Sequence, residues 1–359
     1  MRLEPQIETL YQTLNRELDN FPAGTKFYSV RKLMDKFKCH RGVLDEVLER
    51  LEANQLIDRI PQVGIFSSVT RRPNARKVLF AAPDWPGELI QEWSREATIY
   101  TDTHEGWQLS KIMLEPNREM IRSITADGFD AVIIQMPSAN VSREEMRFFA
   151  ELPIPAVLLN VDTGSFSISN VHSADADGAI IACNYLYRHG HRSIATLLSE
   201  PYAQLPSEKR VRAFCRVAEL FHIKLTCIDC MTASGEFAPH RAYLGMKRYL
   251  EEQDGKVEFT AVYCDTGESV PGIMTALREA GYELPRDISV IAHSTEKIGQ
   301  FYHPALTAVC ADIAAEVEAA FTGIAAILDR QKDYFKVEVP MKLIERDSVK
   351  TLTPKEEVV

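Results

Sequence analysis

At 359 residues, 45% of them hydrophobic and 26% charged, the chain is long enough for two or three compact units and has an ordinary globular make-up. The formal net charge is −10, yet Met1–Lys77 carries 14 Lys plus Arg against 10 Asp plus Glu, so a basic first unit precedes an acidic remainder. No apolar run approaches the roughly 18 residues of a membrane span, and the opening MRLEPQIETLYQ lacks a signal peptide's apolar stretch. A cytoplasmic protein with no membrane partner is expected.

The first predicted element is a long helix with Ile7, Leu10, Tyr11, Leu14 and Leu18 at helical spacing. Ser29 then caps a short helix carrying Val30, Leu33, Met34 and Phe37. After a break at Lys38-Cys39-His40, Arg41–Ala53 places Leu44, Val47, Leu48 and Leu51 on one face. Two short extended runs, Leu56–Ile60 and Gly64–Ser68, flank Pro61-Gln62-Val63-Gly64. The order helix, turn, helix, two-stranded wing suits DNA, because a helix fits the major groove and its N-terminal residues reach base edges. Arg41 stands at that N-terminus, and Arg31 lies one turn into the preceding helix. Gly64 lets backbone approach a phosphate closely.

This stretch resembles the winged-helix domain of the GntR family of bacterial transcription regulators. The residues carrying the resemblance are PAGTKFYSVRKL and HRGVLDEVLERLEANQLIDRIPQVGIF. It implies DNA contacts from Arg31, Arg41 and Gly64, with Ser29, His40 and Gln62 beside them as candidates. His40 replaces the family's usual Ser or Thr, and Val43 its usual Thr. Asp45 falls where some members use a basic contact; it could read a cytosine amino group or point away.

Residues 69–76 read as a linker after a DNA-binding unit at 1–68. From there strands alternate with helices. Apolar runs at Lys77–Ala82, Ala131–Gln135, Ala156–Asn160, Ser193–Leu198, Lys224–Ile228, Ala261–Cys264 and Ile288–His293 are expected strands. Glu88 to about Ile99, Ala179–Arg188, Glu208–Phe221, Ala238–Glu251 and Val270–Ala280 are expected helices. Near-continuous apolar strands between helices indicate parallel sheets covered on both faces, with ligands bound beyond the strands' carboxyl ends.

The phrases DADGAIIACNYLYRHGHRSIATLL, SEKRVRAF, FTAVYCDTGESVPGIMTALREAGYELPRDISVIAH, HPALTAV and VPMKLIERDSV resemble the effector domain of the lactose-repressor/galactose-repressor family, itself similar to periplasmic sugar-binding proteins. The implied fold is an α+β winged helix-turn-helix followed by an α/β two-lobed periplasmic-binding-protein-like domain with parallel sheets. The second unit spans 77–349, with a tail at 350–359. The implied function is a dimeric, sequence-specific regulator of transcription, with repression the expected direction. Its partners would be a double-stranded DNA operator and a sugar-related or anionic effector bound between the lobes.

Three departures from the family shape the expected cleft. Thr266 and Gly267 stand at the family's Asn-Asp pair, and Ser294 stands at its later Asp. Ala174 and Asp175 stand at the Asp-Asn before the Gly-Ala helix, while Ser207 and Arg210 remain. With two acids gone and Arg210 kept, the cleft is expected to be less acidic than a sugar site. It would favour an anionic or aromatic ligand, with Arg210 as counter-charge and Trp85, beside Asp84, as a stacking wall.

The other candidates read structurally. His189 and His191 flank Gly190 at a helix end, where histidine favours the helix dipole. Asp175 and Asp177 precede a helix and read as caps. Seven cysteines without a secretion signal read as reduced thiols. Cys227 and Cys230 have metal-like spacing, but a strand there would put their sulfurs on opposite faces. No nucleophile elbow, phosphate-binding P-loop or dinucleotide fingerprint is present, so no catalytic residue, cofactor or metal is expected. Two rivals stay open: a DNA-binding regulator without an effector, and an enzyme acting on a small metabolite.

Overall fold

A computed structural model describes residues 4–61, 63–68, 75–84, 87–115, 121, 124, 126–136, 141–200, 205–233 and 236–352. The head is built by the apolar stripes of three helices, α1 (Glu4–Leu18), α2 (Val30–Phe37) and α3 (Arg41–Ala53). Leu14, Leu18, Leu33, Leu44, Val47, Leu48 and Leu51 are fully buried in one core with Ile57 and Ile65. Strands β1 (Ile57–Ile60) and β2 (Gly64–Ser67) pair antiparallel, Ile57 opposite Ser67 and Ile60 opposite Gly64. The expected head elements therefore form at the expected places.

The body has two sheets of six strands. The N-lobe contains β3 (Arg76–Pro83), β4 (Trp107–Leu114), β5 (Ala131–Gln135), β6 (Ala156–Leu159), β7 (Ser169–Ser173) and β13 (Lys336–Val339), in the order β13-β7-β6-β5-β3-β4. The C-lobe contains β8 (Ser193–Leu198), β9 (Lys224–Asp229), β10 (Ala261–Cys264), β11 (Ser289–Ser294), β12 (Thr307–Cys310) and β14 (Lys342–Ile344), in the order β14-β12-β11-β10-β8-β9. Every body pairing is parallel except β12 with β14. Helices α4 (Glu88–Thr103), α5 (Arg143–Glu151) and α10 (Ile313–Leu328) cover the N-lobe sheet, while α6 (Asp175–Arg188), α7 (Leu205–Leu220), α8 (Ala238–Glu252) and α9 (Val270–Glu279) cover the C-lobe sheet. Burial on both faces explains the unbroken apolar runs of the central strands.

The chain crosses between lobes three times: from β7 into α6, from β12 into α10, and from β13 into β14. Ala174 and Ala311 sit in the first two crossings. The expected boundaries shift slightly. Arg76, placed in the linker, already belongs to β3. The expected tail stays on the C-lobe through Leu352, since Lys350 N donates to Ser289 Oγ at 3.0 Å and Leu352 N to His189 O at 2.8 Å.

Candidate nucleic-acid interface and interlobe cleft

Packing decides which head residues face outward. With the apolar face of α3 buried, Arg41 and His40 are left exposed at its N-terminus. His40 occupies the N-cap without spending its imidazole on a capping bond. Arg41 Nε reaches Asp45 Oδ2 at 3.1 Å, so Asp45 lies beside Arg41 on the outer face. Ser29 accepts from Lys32 N at 3.3 Å and caps α2 as expected; its hydroxyl can still donate. Arg31 is exposed one turn on. In the wing, Gly64 has φ +140°, a backbone conformation that favours glycine, and a Cβ there would meet the movable end of Lys26, Cε at 2.9 Å. Lys26, which the motif reading did not pick out, therefore lies against the wing. Gln62 lies outside the described residues.

The head meets the N-lobe through polar contacts. Lys77 Nζ donates to Asn15 Oδ1 at 2.9 Å, and Gln12 Nε2 lies 3.4 Å from Asp127 Oδ1. A cavity of about 630 Å³ runs between α1 and the start of β3, lined by Arg16, Asp19, Arg76 and Asp329 among others.

A smaller cavity, about 80 Å³, lies between the lobes beside the first two crossings. Water occupies roughly 30 Å³ in the liquid, so with the lobes closed this space suits two or three waters, below the roughly 300 Å³ usual for a small-molecule pocket, and a larger ligand enters only as the lobes part. The lobes are closed on each other. Thr295 of the C-lobe donates to Glu88 at the start of α4, and Glu88 N donates to Glu268 Oε1 at 2.9 Å. Lys297 pairs with Glu92 at 3.2 Å and Glu96 at 2.6 Å, and Lys209 lies 3.8 Å from Asp162.

Arg210, Thr266 and Ser294 all line this cavity, as the sequence suggested. Asp84 is exposed at the end of β3 and is not among the described lining residues. Ser207 lies in α7, and Trp85 lies outside the described residues. Two expectations are overturned. Asp175 makes no capping bond; it is buried and accepts from Arg210 Nε at 2.8 Å, with His293 Nε2 at 3.4 Å. Arg210 is likewise no free counter-charge for an anion. Its Nη1 donates to Asp265 O at 2.9 Å and lies 3.9 Å from Glu200, and burial, which would lower its pKa, is outweighed by Asp175 and Glu200, which raise it.

The cleft is also not depleted of acid. Among the described residues Glu88, Asp175, Glu200 and Glu268 line it against the one guanidinium of Arg210. Burial raises the pKa of Glu88, Glu200 and Glu268 alike. His293 is held neutral, its pKa pushed well below the usual value by burial and by Arg210. Glu268 follows Gly267 by one residue, which was the available sequence signal for a displaced acid. Glu88 and Glu200 follow strand ends and look like solvated charges in sequence.

Other candidates resolve structurally. His191 is fully buried, bonded to Thr260 Oγ1 at 2.8 Å and near Lys350 O at 3.2 Å, and burial lowers its pKa to about 4. Cys227 is exposed and Cys230 buried, on opposite sides of the strand end. No three of the described His, Cys, Asp or Glu side chains gather as metal ligands, and no described helix is long and apolar enough to cross a membrane.

Comparison with known proteins follows the same division. Residues 6–66 match the family model described as bacterial regulatory proteins, gntR family, and residues 183–349 match that of a periplasmic binding protein-like domain. The chain joins a GntR winged helix to a LacI-like effector domain. The LacI-like body is similar to the HTH-type transcriptional repressor PurR of Vibrio atlanticus, 26% identical over 242 residues, covering 66% of this chain and 70% of that one. Against PurR of Serratia proteamaculans it is 30% identical over 199 residues, covering 55% and 56%. In fold it is similar to a LacI family transcriptional regulator from Enterococcus faecium with bound ribose, at TM-score 0.64 and 18% identity, covering 77% of this chain and 100% of that one. It is also similar to the lac repressor dimer bound to operator and an anti-inducer, at TM-score 0.66 and 18% identity, covering 77% and 94%.

Proposed function

We propose that the chain is a cytoplasmic, dimeric, sequence-specific repressor of transcription whose operator affinity is set by a small molecule held between its two lobes. The supporting observation is the outward turn of α3. Packing buries its apolar face and leaves Arg41 and His40 exposed at the end that enters a major groove. Arg31, Ser29 and the Gly64 wing would supply the flanking phosphate and minor-groove contacts. The body supplies a second binding place, the interlobe cleft, and its relatives are described as transcriptional repressors. Fold neighbours described with bound ribose and bound sucrose favour a sugar-related effector over none. Nothing in this reading requires turnover of the bound molecule.

The mechanism follows from closure. A ligand that changes how the lobes sit alters the placement of two heads that must meet half-sites at fixed spacing. Ligand and operator then affect each other's binding reciprocally. Selection of genomic fragments on the full chain tests this. A recovered pseudo-palindromic site, retained at physiological salt and released or tightened by a small molecule, is expected. Salt-sensitive retention of all fragments alike would overturn it.

A further inference from the structure

The charges around the interlobe cleft do not balance. Among the described residues four carboxyl groups line it against one guanidinium, and that guanidinium is engaged within the C-lobe by Asp175 and the Asp265 carbonyl. Glu88 and Glu268 come together from opposite lobes. Glu88 accepts from Thr295, and Glu268 accepts from the Glu88 amide. A carboxylate has about four lone-pair sites, so both keep acceptor capacity after these bonds. Burial of such groups without a positive partner is costly.

A second observation is independent of the acids. His293 is 6% exposed, lines the same cavity, and among the described residues its Nδ1 has no hydrogen-bond partner. Its Nε2 faces the Asp175 carboxylate at 3.4 Å. That neighbour favours the proton on Nε2, leaving Nδ1 as a buried acceptor. The described side chains do not converge as metal ligands. Among the described lining residues Arg210 alone carries positively charged N–H donors, and two of these are already engaged by Asp175 and the Asp265 carbonyl.

We propose that the effector is a small protonated amine, its ammonium held between Glu88 and Glu268 and a further donor turned to His293 Nδ1. An ammonium offers three donors and one positive charge, which meets both deficits together. A neutral sugar can donate to His293 Nδ1 but brings no positive charge, and a sugar acid or phosphate adds negative charge beside the carboxyl groups. This assignment rests on the effector-regulated reading above and names the chemistry of that site.

Thermal unfolding of the full chain tests it, with D-glucosamine, D-galactosamine, ethanolamine and putrescine set against D-glucose, D-galactose and D-gluconate at matched ionic strength. At least one amine is expected to raise the melting temperature at millimolar concentration, while the neutral and acidic sugars do not. Glu268→Gln and, separately, Glu88→Gln should each weaken that amine at least tenfold; two single variants guard against one that fails to fold. No shift from any amine, a neutral sugar acting as strongly, or an amine shift surviving both substitutions would overturn the proposal. Operator retention by the unmodified protein is measured in parallel. Its absence defeats the regulator reading, whereas its presence with inert amines defeats only the amine.

Discussion

In the free protein Arg41 spends its Nε on Asp45, one turn along the same helix, with the two side chains 69% and 37% exposed. An exposed pair of this kind contributes only about 0.3–0.5 kcal/mol, so DNA can draw Arg41 away at little cost. Arg41→Ala and Arg31→Ala should each weaken operator binding by roughly 1–3 kcal/mol, with unchanged melting because exposed substitutions move stability little. Gel-shift titration of both variants checks this, and unchanged affinity in both would remove the proposed contacts. A buried acid behaves differently. Glu316 of α10 is wholly enclosed, accepting from Trp93 Nε1 at 2.8 Å and from Ser173. Burial raises its pKa against these two bonds. The folded state therefore holds the proton more tightly than the unfolded chain. Stability is intact below the ordinary value of 4.5 and is lost as pH rises through the elevated one. Glu316→Gln keeps both partners and cannot ionise, so its melting temperature should gain on wild type between pH 5 and pH 8. A constant gap across that range would contradict the account.

Among elements, close approach sets the strictest demands. A Cβ on Gly272, in the first turn of α9, would lie 2.0 Å from Pro239 O and 2.8 Å from Tyr243 N of α8. Backbone cannot yield as a side-chain tip does. Gly272→Ala should cost at least the roughly 1–3 kcal/mol of ordinary overpacking, read from urea unfolding; an unchanged midpoint would show that the two helices can part freely. Which elements were legible in sequence follows from burial. Arg41–Ala53 and the central strands Ala131–Gln135, Ser193–Leu198 and Ala261–Cys264 match the expected bounds, because one-sided or two-sided burial writes itself into residue pattern. The edge strand β4 mixes Lys111 with exposed Ile112 and Met113, and β7 reads SNVHS, so neither presents an apolar run. Helix α10, IAAEVEAAFTGIAAIL, is apolar nearly all round and lacks the stripe that marks a surface helix. The cleft was half legible for a related reason. Arg210 and Thr266 fall inside family phrases and Ser294 directly follows one, whereas the cleft's acidity is a sum over segments distant in sequence.

At the scale of the whole molecule, the dimer surface is to be sought among exposed side chains. Ile273, Met274 and Leu277 of α9 lie inside the C-lobe core with Val262 and Val290, so they pack on their own sheet. Some of the exposed apolar side chains lie at one outer edge of each lobe. The N-lobe sheet ends on β4, where Ile112 and Met113 are exposed near Ile99 of α4, and the C-lobe sheet ends on β9, followed by exposed Met231, Phe237 and Leu244. Unpaired edge strands carrying apolar residues readily associate, and a two-fold axis lets one patch meet its own copy. A stable interface needs roughly 1,200–2,000 Å² of buried surface, which argues for both lobe edges acting together. Met113→Lys and Leu244→Lys should each shift the protein from dimer towards monomer in sedimentation at micromolar concentration, with melting of the lobes changed by less than about 0.5 kcal/mol. Operator retention should fall in step, since a monomer presents one recognition helix to a site with two halves. A wild-type monomer, or a dimer indifferent to both lysines, would move the interface elsewhere, whereas Ile273→Lys would unfold the lobe whatever the oligomeric state, because it forces a charge into a closed core.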